Sequence, residues 1–465
     1  MVAPIINNVL VVATIILWTY VTYQFVLTIF GIIYLRRVQR SDADTIDPSH
    51  LPAVTILVPA HNEEKVIERT IQSLLALDYP PDRLDILVVN DASTDSTPEI
   101  LDRLVACYPR VRVVHRTTEV GGRGKSAVLN HALAHITREY IAVYDADNRP
   151  EPAAVKALMS HFANHPELGA VVGKFRTGNR RRNLLTRFIN IEGLSYQGII
   201  QSGRCQLYRI AMLTGTNYII RRSVVEQVGG WDEKALTEDA ELSMRVYEAG
   251  YRIAYIPNSV SWEQEPETLR VWIKQRTRWS RGNIYLMGKL FRHLPTSPRK
   301  FVVLEMIFMF SLPFFLFYTF FASQLGIVIA LGHIEVSPLV DKFHHWWIPT
   351  IILYYLEVLA ALSFDREITP ENAALGVAAY FSYCQIWMVP LLLAVYAEFI
   401  RRQPRAWNKT IRFDTPVVID TSAVPEAVLP IMENRESTYQ PLQPVESGRV
   451  REPVAQGTAR YQEVE

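Results

Sequence analysis

The chain has 465 residues, 49% of them hydrophobic, and a formal net charge of +1. That length accommodates one large catalytic domain plus several membrane helices, and the near-neutral charge argues against nucleic acid as a partner. Its three cysteines, Cys107, Cys205 and Cys384, are far apart and none has a partner at metal-ligand spacing, so they read as reduced thiols.

In chain order, the first element is an apolar run from about Val9 to Tyr34, closed by Arg36, Arg37 and Arg40. It is long enough to cross a hydrocarbon layer of ~30 Å and too long for a signal-peptide core, so it reads as an uncleaved anchor. The basic cluster behind it places the next domain in the cytoplasm.

Short Val- and Ile-rich runs follow at Ala53 to Val58, Leu84 to Val89, Val111 to Val114 and Tyr140 to Tyr144. They are predicted to be strands covered on both faces. Helical stripes lie between them, with Ile67, Ile71 and Leu75 in one and Val128, Leu129 and Ala132 in another. Strand alternating with helix at this spacing implies a Rossmann-like, mostly parallel α/β sheet with right-handed crossovers, and ligands bind beyond the carboxyl ends of such strands.

Chemistry-bearing residues sit just past those ends. Pro59-Ala60-His61-Asn62-Glu63 follows the first strand, although Asn62 as an ordinary helix cap explains it equally well. Asn90-Asp91 follows the second, where the Asp91 carboxylate can accept hydrogen bonds from a base or ribose. Gly121-Gly122-Arg123-Gly124-Lys125 opens a helix, but Glu119 and Val120 break the spacing of a nucleotide-triphosphatase loop. Asp145-Ala146-Asp147 ends the fourth strand, and Thr237-Glu238-Asp239 starts a later helix, where Thr237 can serve as a simple cap. Gln275-Arg276-Thr277-Arg278-Trp279 lies in a basic, aromatic stretch from Leu269 to Phe291 that reads as an amphipathic helix at a membrane surface. Gln275, Arg278 and Trp279 fall within about one turn and can face one site.

In this order the motifs resemble the active site of a membrane-integrated family-2 glycosyltransferase with the GT-A fold. The group includes the processive cellulose, chitin, hyaluronan and poly-β-1,6-N-acetylglucosamine synthases, and the resemblance covers roughly residues 52 to 290. It implies an inverting transfer from a UDP-sugar to a growing β-linked glycan. His61 and Glu63 would line the uracil, Asp91 would contact uracil or ribose, and Lys125 would reach the diphosphate. Asp145 would lie near the ribose and, with Asp147, hold Mg²⁺ or Mn²⁺, a hard cation that stabilises a leaving diphosphate. Asp239 would be the general base, supported by Glu238. Gln275, Arg278 and Trp279 would contact substrate, Arg278 by its planar fork and Trp279 by stacking on the acceptor sugar. Ceramide glucosyltransferases carry a similar Gln-x-x-Arg-Trp element, so sugar transfer to a membrane lipid is the alternative, and the bilayer is a partner in both.

Further apolar runs follow at about 301 to 332, 346 to 363 and 374 to 399, and then Arg401, Arg402, Arg405, Lys409 and Arg412. If this basic cluster is cytoplasmic as well, three simple crossings conflict with it. Either one segment is interfacial, or the 301 to 332 run, with Pro313 inside it, folds as a hairpin; a single tilted helix there, with an external tail, is the remaining alternative. The resulting organisation is an anchor (1–40), a catalytic domain (52–265), interface helices (266–300), a membrane region (301–400) and a cytoplasmic, largely disordered tail (401–465).

Overall fold

A computed structural model describes residues 2–40, 50–119, 121–332, 343–405 and 409–413. Eight strands form one sheet in the order β3-β2-β1-β4-β7-β6-β8-β5. The first four in chain order, β1 (Val54–Ala60), β2 (Leu84–Asp91), β3 (Val111–Arg116) and β4 (Tyr140–Val143), pair in parallel. The other four are β5 (Arg149–Pro150), β6 (Leu168–Thr177), β7 (Tyr218–Arg221) and β8 (Arg252–Glu263). Here β7 runs antiparallel to β4 and β6, whereas β6 and β8 are parallel. The sheet is therefore the mixed one of a GT-A fold, and the expected parallel half is its first half.

Alternation along β1 builds two cores. Val54, Ile56 and Val58 face one layer, with Ile67, Ile71 and Leu74 of α2 (Ile67–Leu75), Leu101 and Leu104 of α3 (Thr97–Cys107), and Leu158 beyond them. Leu57 faces the other, against Val128 and Leu129 of α4 (Lys125–Leu133). All of these side chains are buried, so both faces are covered as the apolar runs require.

The N-terminal helix α1 (Val2–Arg40) is a single 39-residue element. After α5 (Ala154–Ala163), α6 (Leu184–Gly193) continues through a π-helical stretch, Leu194–Gln201, into α7 (Ser202–Tyr208). α1 lies against this last pair, backbone on backbone. A Cβ on Gly203 would run into the Leu27 carbonyl, and one on Gly31 into that of Ile199. Gly203→Ala is therefore expected to lower the unfolding midpoint in detergent by several degrees, on the scale of the ~1–3 kcal/mol that overpacking costs. A variant that melts with the wild type would show that this seat is not tight. Beside it Arg204, fully buried, pairs with Glu305 at 2.7 Å, and the Tyr23 hydroxyl donates to the same carboxylate at 2.7 Å.

α8 (Arg222–Gln227), α9 (Glu238–Glu248) and α10 (Leu269–His293) follow. α11 (Lys300–Leu331) is one continuous 32-residue helix with Pro313 inside it, which overturns the hairpin. In an apolar setting a proline removes one ladder bond without ending the helix.

Among the described residues, three helices can cross a membrane by length and composition: 7–40, 300–322 and the bent 370–400. The last is tied to the catalytic domain at both ends. Glu371 pairs with Arg187 of α6, and Glu398 pairs with Arg281 of α10 at 2.7 Å. The apolar helix Phe343–Phe364 delivers Asp365 to Lys174 of β6 at 2.5 Å. Segment 409–413, expected to belong to a disordered tail, returns to the catalytic cleft, and residues 414–465 lie outside the described ones.

Candidate active site

The parallel strands aim their carboxyl ends at one cavity of about 1000 Å³, and every residue singled out from the sequence lines it: His61, Glu63, Asp91, Lys125, Asp145, Asp147, Glu238, Asp239, Gln275, Arg278 and Trp279. The cavity continues between the apolar helices, where Tyr20, Gln24, Thr319 and Tyr354 line it.

At the end of β1 the chain turns through Asn62 with φ +56°, and Asn62 Oδ1 accepts from the Thr94 N–H at 2.7 Å, so it braces the next strand's loop and does not cap a helix. His61 Nδ1 sits 2.6 Å from the Asp91 carbonyl. The Asp91 carboxylate is held by Arg116 at 2.6 Å and by the Gly122 N–H at 3.1 Å. Asp91 therefore fixes the glycine-rich loop as well as facing the cavity.

Lys125, at the start of α4, pairs with Asp145 at 2.6 Å and Glu238 at 3.2 Å, and donates to the Gly215 carbonyl at 2.8 Å. Burial acts to strip its proton, but the two carboxylates outweigh it and hold the ammonium above the ordinary lysine range. Gly215 has φ +80°, and a Cβ there would lie 3.4 Å from Asp239 Oδ2 and 3.6 Å from Lys125 Nζ. Asp239, Lys125 and Asp145 thus meet around one turn. Burial and the neighbouring Glu238 raise the Asp239 carboxyl to about 7, against the pull of Lys125. Thr237 does not cap α9; its hydroxyl is buried without a hydrogen bond, against the bare face of Gly282, where a Cβ would fall 2.6 Å from it.

From α10, Gln275, Arg278 and Trp279 reach the same cavity. Among the described residues Arg278 makes no hydrogen bond or ion pair, and its Nε is buried unsatisfied. Burial pulls its pKa down while Glu238, Asp145 and Asp239 push it back. A half-buried guanidinium that lines the cavity, with its Nε buried and unpaired, is a ready-made seat for an anion.

Two further groups escaped sequence reasoning. Lys409 pairs with Glu63 at 3.0 Å and donates to the Asn62 carbonyl, and Arg412 pairs with Asp147 at 2.7 Å. Phe413 and Gln264 exchange two hydrogen bonds, of 2.8 and 2.9 Å, that strap this segment to the end of β8. Glu263 and Glu265 flank Gln264 and also line the cavity. Burial, followed by Glu265, lifts the Glu263 carboxyl well above its usual range. The basic run 401 to 412 had read only as a topology signal, and nothing in its spacing ties Lys409 and Arg412 to carboxylates about 346 and 265 positions away.

Among the described residues no three His, Cys, Asp or Glu side chains are grouped to hold a metal alone. Asp147 Oδ2 is nevertheless buried without a hydrogen bond, and two carboxylates completed by substrate phosphate oxygens and water are a common hard-cation arrangement. The carboxylates lining the cavity give a negatively charged diphosphate a further need of a bound cation. The residues present fit Mg²⁺ or Mn²⁺, for which Asp145 and Asp147 would be the protein ligands.

A family profile described as "Glycosyltransferase like family 2" matches residues 52–282. The probable glycosyltransferase YdaM of Bacillus subtilis (strain 168) is 41% identical over 371 residues, which is 78% of this chain and 88% of that protein. Beta-monoglucosyldiacylglycerol synthase of Synechocystis is 33% identical over 55% of this chain and 52% of its own length. Poly-beta-1,6-N-acetyl-D-glucosamine synthase of Staphylococcus aureus is 31% identical over 51% of this chain and 56% of its own length. The matched regions span about half of these last two relatives.

Proposed function

The chain belongs to the family-2 glycosyltransferases, and from that premise we propose that it is an inverting membrane enzyme moving a hexose from a UDP-sugar onto the end of a growing β-linked glycan. One observation carries the reading: Asp239, poised near neutrality, shares a cavity with the unpartnered Arg278, and that cavity runs on between the apolar helices. UDP-N-acetylglucosamine and UDP-glucose are the first donors to test, since the named products of two relatives contain these sugars.

In the proposed step the acceptor hydroxyl attacks the anomeric carbon from the side opposite the diphosphate. Its proton passes to Asp239, the new C–O bond forms as the bond to the diphosphate breaks, and UDP leaves with the electron pair. Arg278 meets the charge that grows on the leaving oxygens. Lys125 keeps Asp145 and Glu238 in place beside that path. His61, Glu63 and Asp91 hold the nucleoside end, and Gln275 and Trp279 the sugar end. A divalent ion at Asp145 and Asp147 would supply Lewis-acid stabilisation of the diphosphate. The catalytic domain faces the cytoplasm, where the basic residues after α1 also lie.

Arg412 adds positive charge where the donor must place negative charge. Arg412→Ala is expected to raise KM for the UDP-sugar about tenfold, roughly 1.4 kcal/mol, with a smaller change in kcat. Initial rates across a donor titration check this, and an unchanged KM would mean that the strap stands clear of the bound nucleotide.

A second reading, transfer to a membrane lipid, is favoured by the apolar side chains Leu316, Phe320 and Leu391 that line the inner part of the cavity. Incubation of detergent-solubilised enzyme with labelled UDP-N-acetylglucosamine, UDP-glucose, UDP-glucuronate and UDP-galactose tests both readings. A polymer ladder on a gel supports the first, one lipid-soluble product supports the second, and release of no UDP from any donor overturns both.

A further inference from the structure

Where the cavity leaves the catalytic domain for the apolar helices, it passes a carboxylate that the transfer step above does not use. Glu192 of α6 accepts hydrogen bonds from Arg276 at 2.8 Å and from the Tyr383 hydroxyl at 2.6 Å, both through Oε2. Among the described residues its Oε1 accepts none, and its side chain keeps 29% of its surface exposed, on the cavity wall. Its partners are immobilised. The Arg276 side chain is 2% exposed and its guanidinium lies 4.0 Å over the Trp279 ring, while Tyr383 accepts from the Trp272 indole N–H at 3.0 Å.

In this pair the cation is buried, and the anion turns an oxygen that no described residue occupies toward the cavity. The guanidinium packs on the Trp279 ring, and Trp279 itself lines the cavity. An aromatic face beside a carboxylate suits a sugar ring. The apolar C–H face can stack on the indole, while neighbouring hydroxyls donate to the carboxylate in charge-assisted bonds. A diacylglycerol offers a single hydroxyl and no flat ring, so it would use little of this site.

We propose that Glu192, oriented by Arg276 and Tyr383, is a specificity-determining residue for the acceptor, binding hydroxyls of a terminal sugar stacked on Trp279, so that the acceptor is a saccharide end. The assignment rests on the transferase reading above and deepens it by naming the acceptor class.

The test uses the full-length enzyme in detergent, with whichever UDP-sugar it turns over. The acceptors are soluble β-linked oligomers of glucose and of N-acetylglucosamine, and in a parallel arm vesicles containing diacylglycerol. Glu192→Gln keeps the volume and the bond from Arg276 and removes the charge; Glu192→Asp keeps the charge on a shorter arm. Transfer to the oligomer and donor hydrolysis by water are measured together. The expected result is a rise in acceptor KM of tenfold or more in Glu192→Gln, a matching fall in the ratio of transfer to hydrolysis, and partial recovery in Glu192→Asp. Hydrolysis and transfer falling by one common factor would show a merely structural role and overturn the proposal. So would an unchanged acceptor KM, or glycosylation of diacylglycerol with no oligomer extended. A wild-type enzyme that releases UDP from no donor would instead sink the transferase reading on which the assignment stands.

Discussion

Asp239→Asn is expected to lower the transfer rate by about 10²- to 10⁴-fold while the donor still binds, because asparagine keeps the volume and loses the ability to take a proton. Two features single out this carboxylate. It lies in the first turn of α9 beside the Gly215 turn, whose φ of +80° suits glycine and which lies close to both Lys125 and Asp239. Burial and Glu238 also raise it to about 7, which brings its basicity close to neutral pH without removing its charge there. The sign of the pH dependence follows. Only the ionised form accepts the proton, so below about pH 7 the rate falls roughly tenfold per unit, and above it the rate levels off. The asparagine variant should lose this limb and show a flat profile at its residual rate. Initial rates from about pH 5 to 9 check both statements, and a wild-type rate independent of pH across this range would assign the proton elsewhere.

Arg278→Ala is expected to reduce kcat by about 10²- to 10³-fold, the scale found when one preorganised donor to a developing oxyanion is removed. The effect should fall mainly on kcat, because the charge it meets grows as the glycosidic bond breaks. The physical basis is its solitude. Arg276, next to its neighbour in the motif, has a carboxylate partner in Glu192, whereas Arg278 is held in a cavity rich in carboxylates without pairing to any described one. Arg278→Lys should recover only part of the loss, since a point charge cannot bridge two phosphate oxygens as a planar fork does. Equal kcat in wild type and Arg278→Ala, with only KM changed, would reduce the residue to a ground-state contact.

Much of the catalytic half was legible in the sequence because its signals are local. Each of the first four strands is a short apolar run, three of them (β1, β2 and β4) with chemistry at the carboxyl end, and a sheet gathers such ends by geometry alone. His61, Asp91 and Asp145 therefore arrived together without any knowledge of β5 to β8. The later strands were hidden: β7 is four residues long and reverses direction, so neither alternation nor length marks it. Other misses share one cause, dependence on partners remote in sequence. Arg412 meets Asp147 from 265 positions away, and Tyr383 meets Glu192 from 191. The hairpin about Pro313 failed for a different reason. Proline ends helices readily where water competes for the freed carbonyl, and far less in an apolar bundle. The motif Thr237-Glu238-Asp239 was read correctly as a helix start and incorrectly as one that Thr237 caps, since Gly282 packs against the hydroxyl instead.

The central claim is a single displacement, with a carboxylate base on one side of the sugar and the departing diphosphate on the other. Its most direct test is the configuration of the new linkage, read from the anomeric proton by NMR after transfer from an α-linked UDP-sugar. A β-linked product is predicted, and an α-linked product would contradict the account.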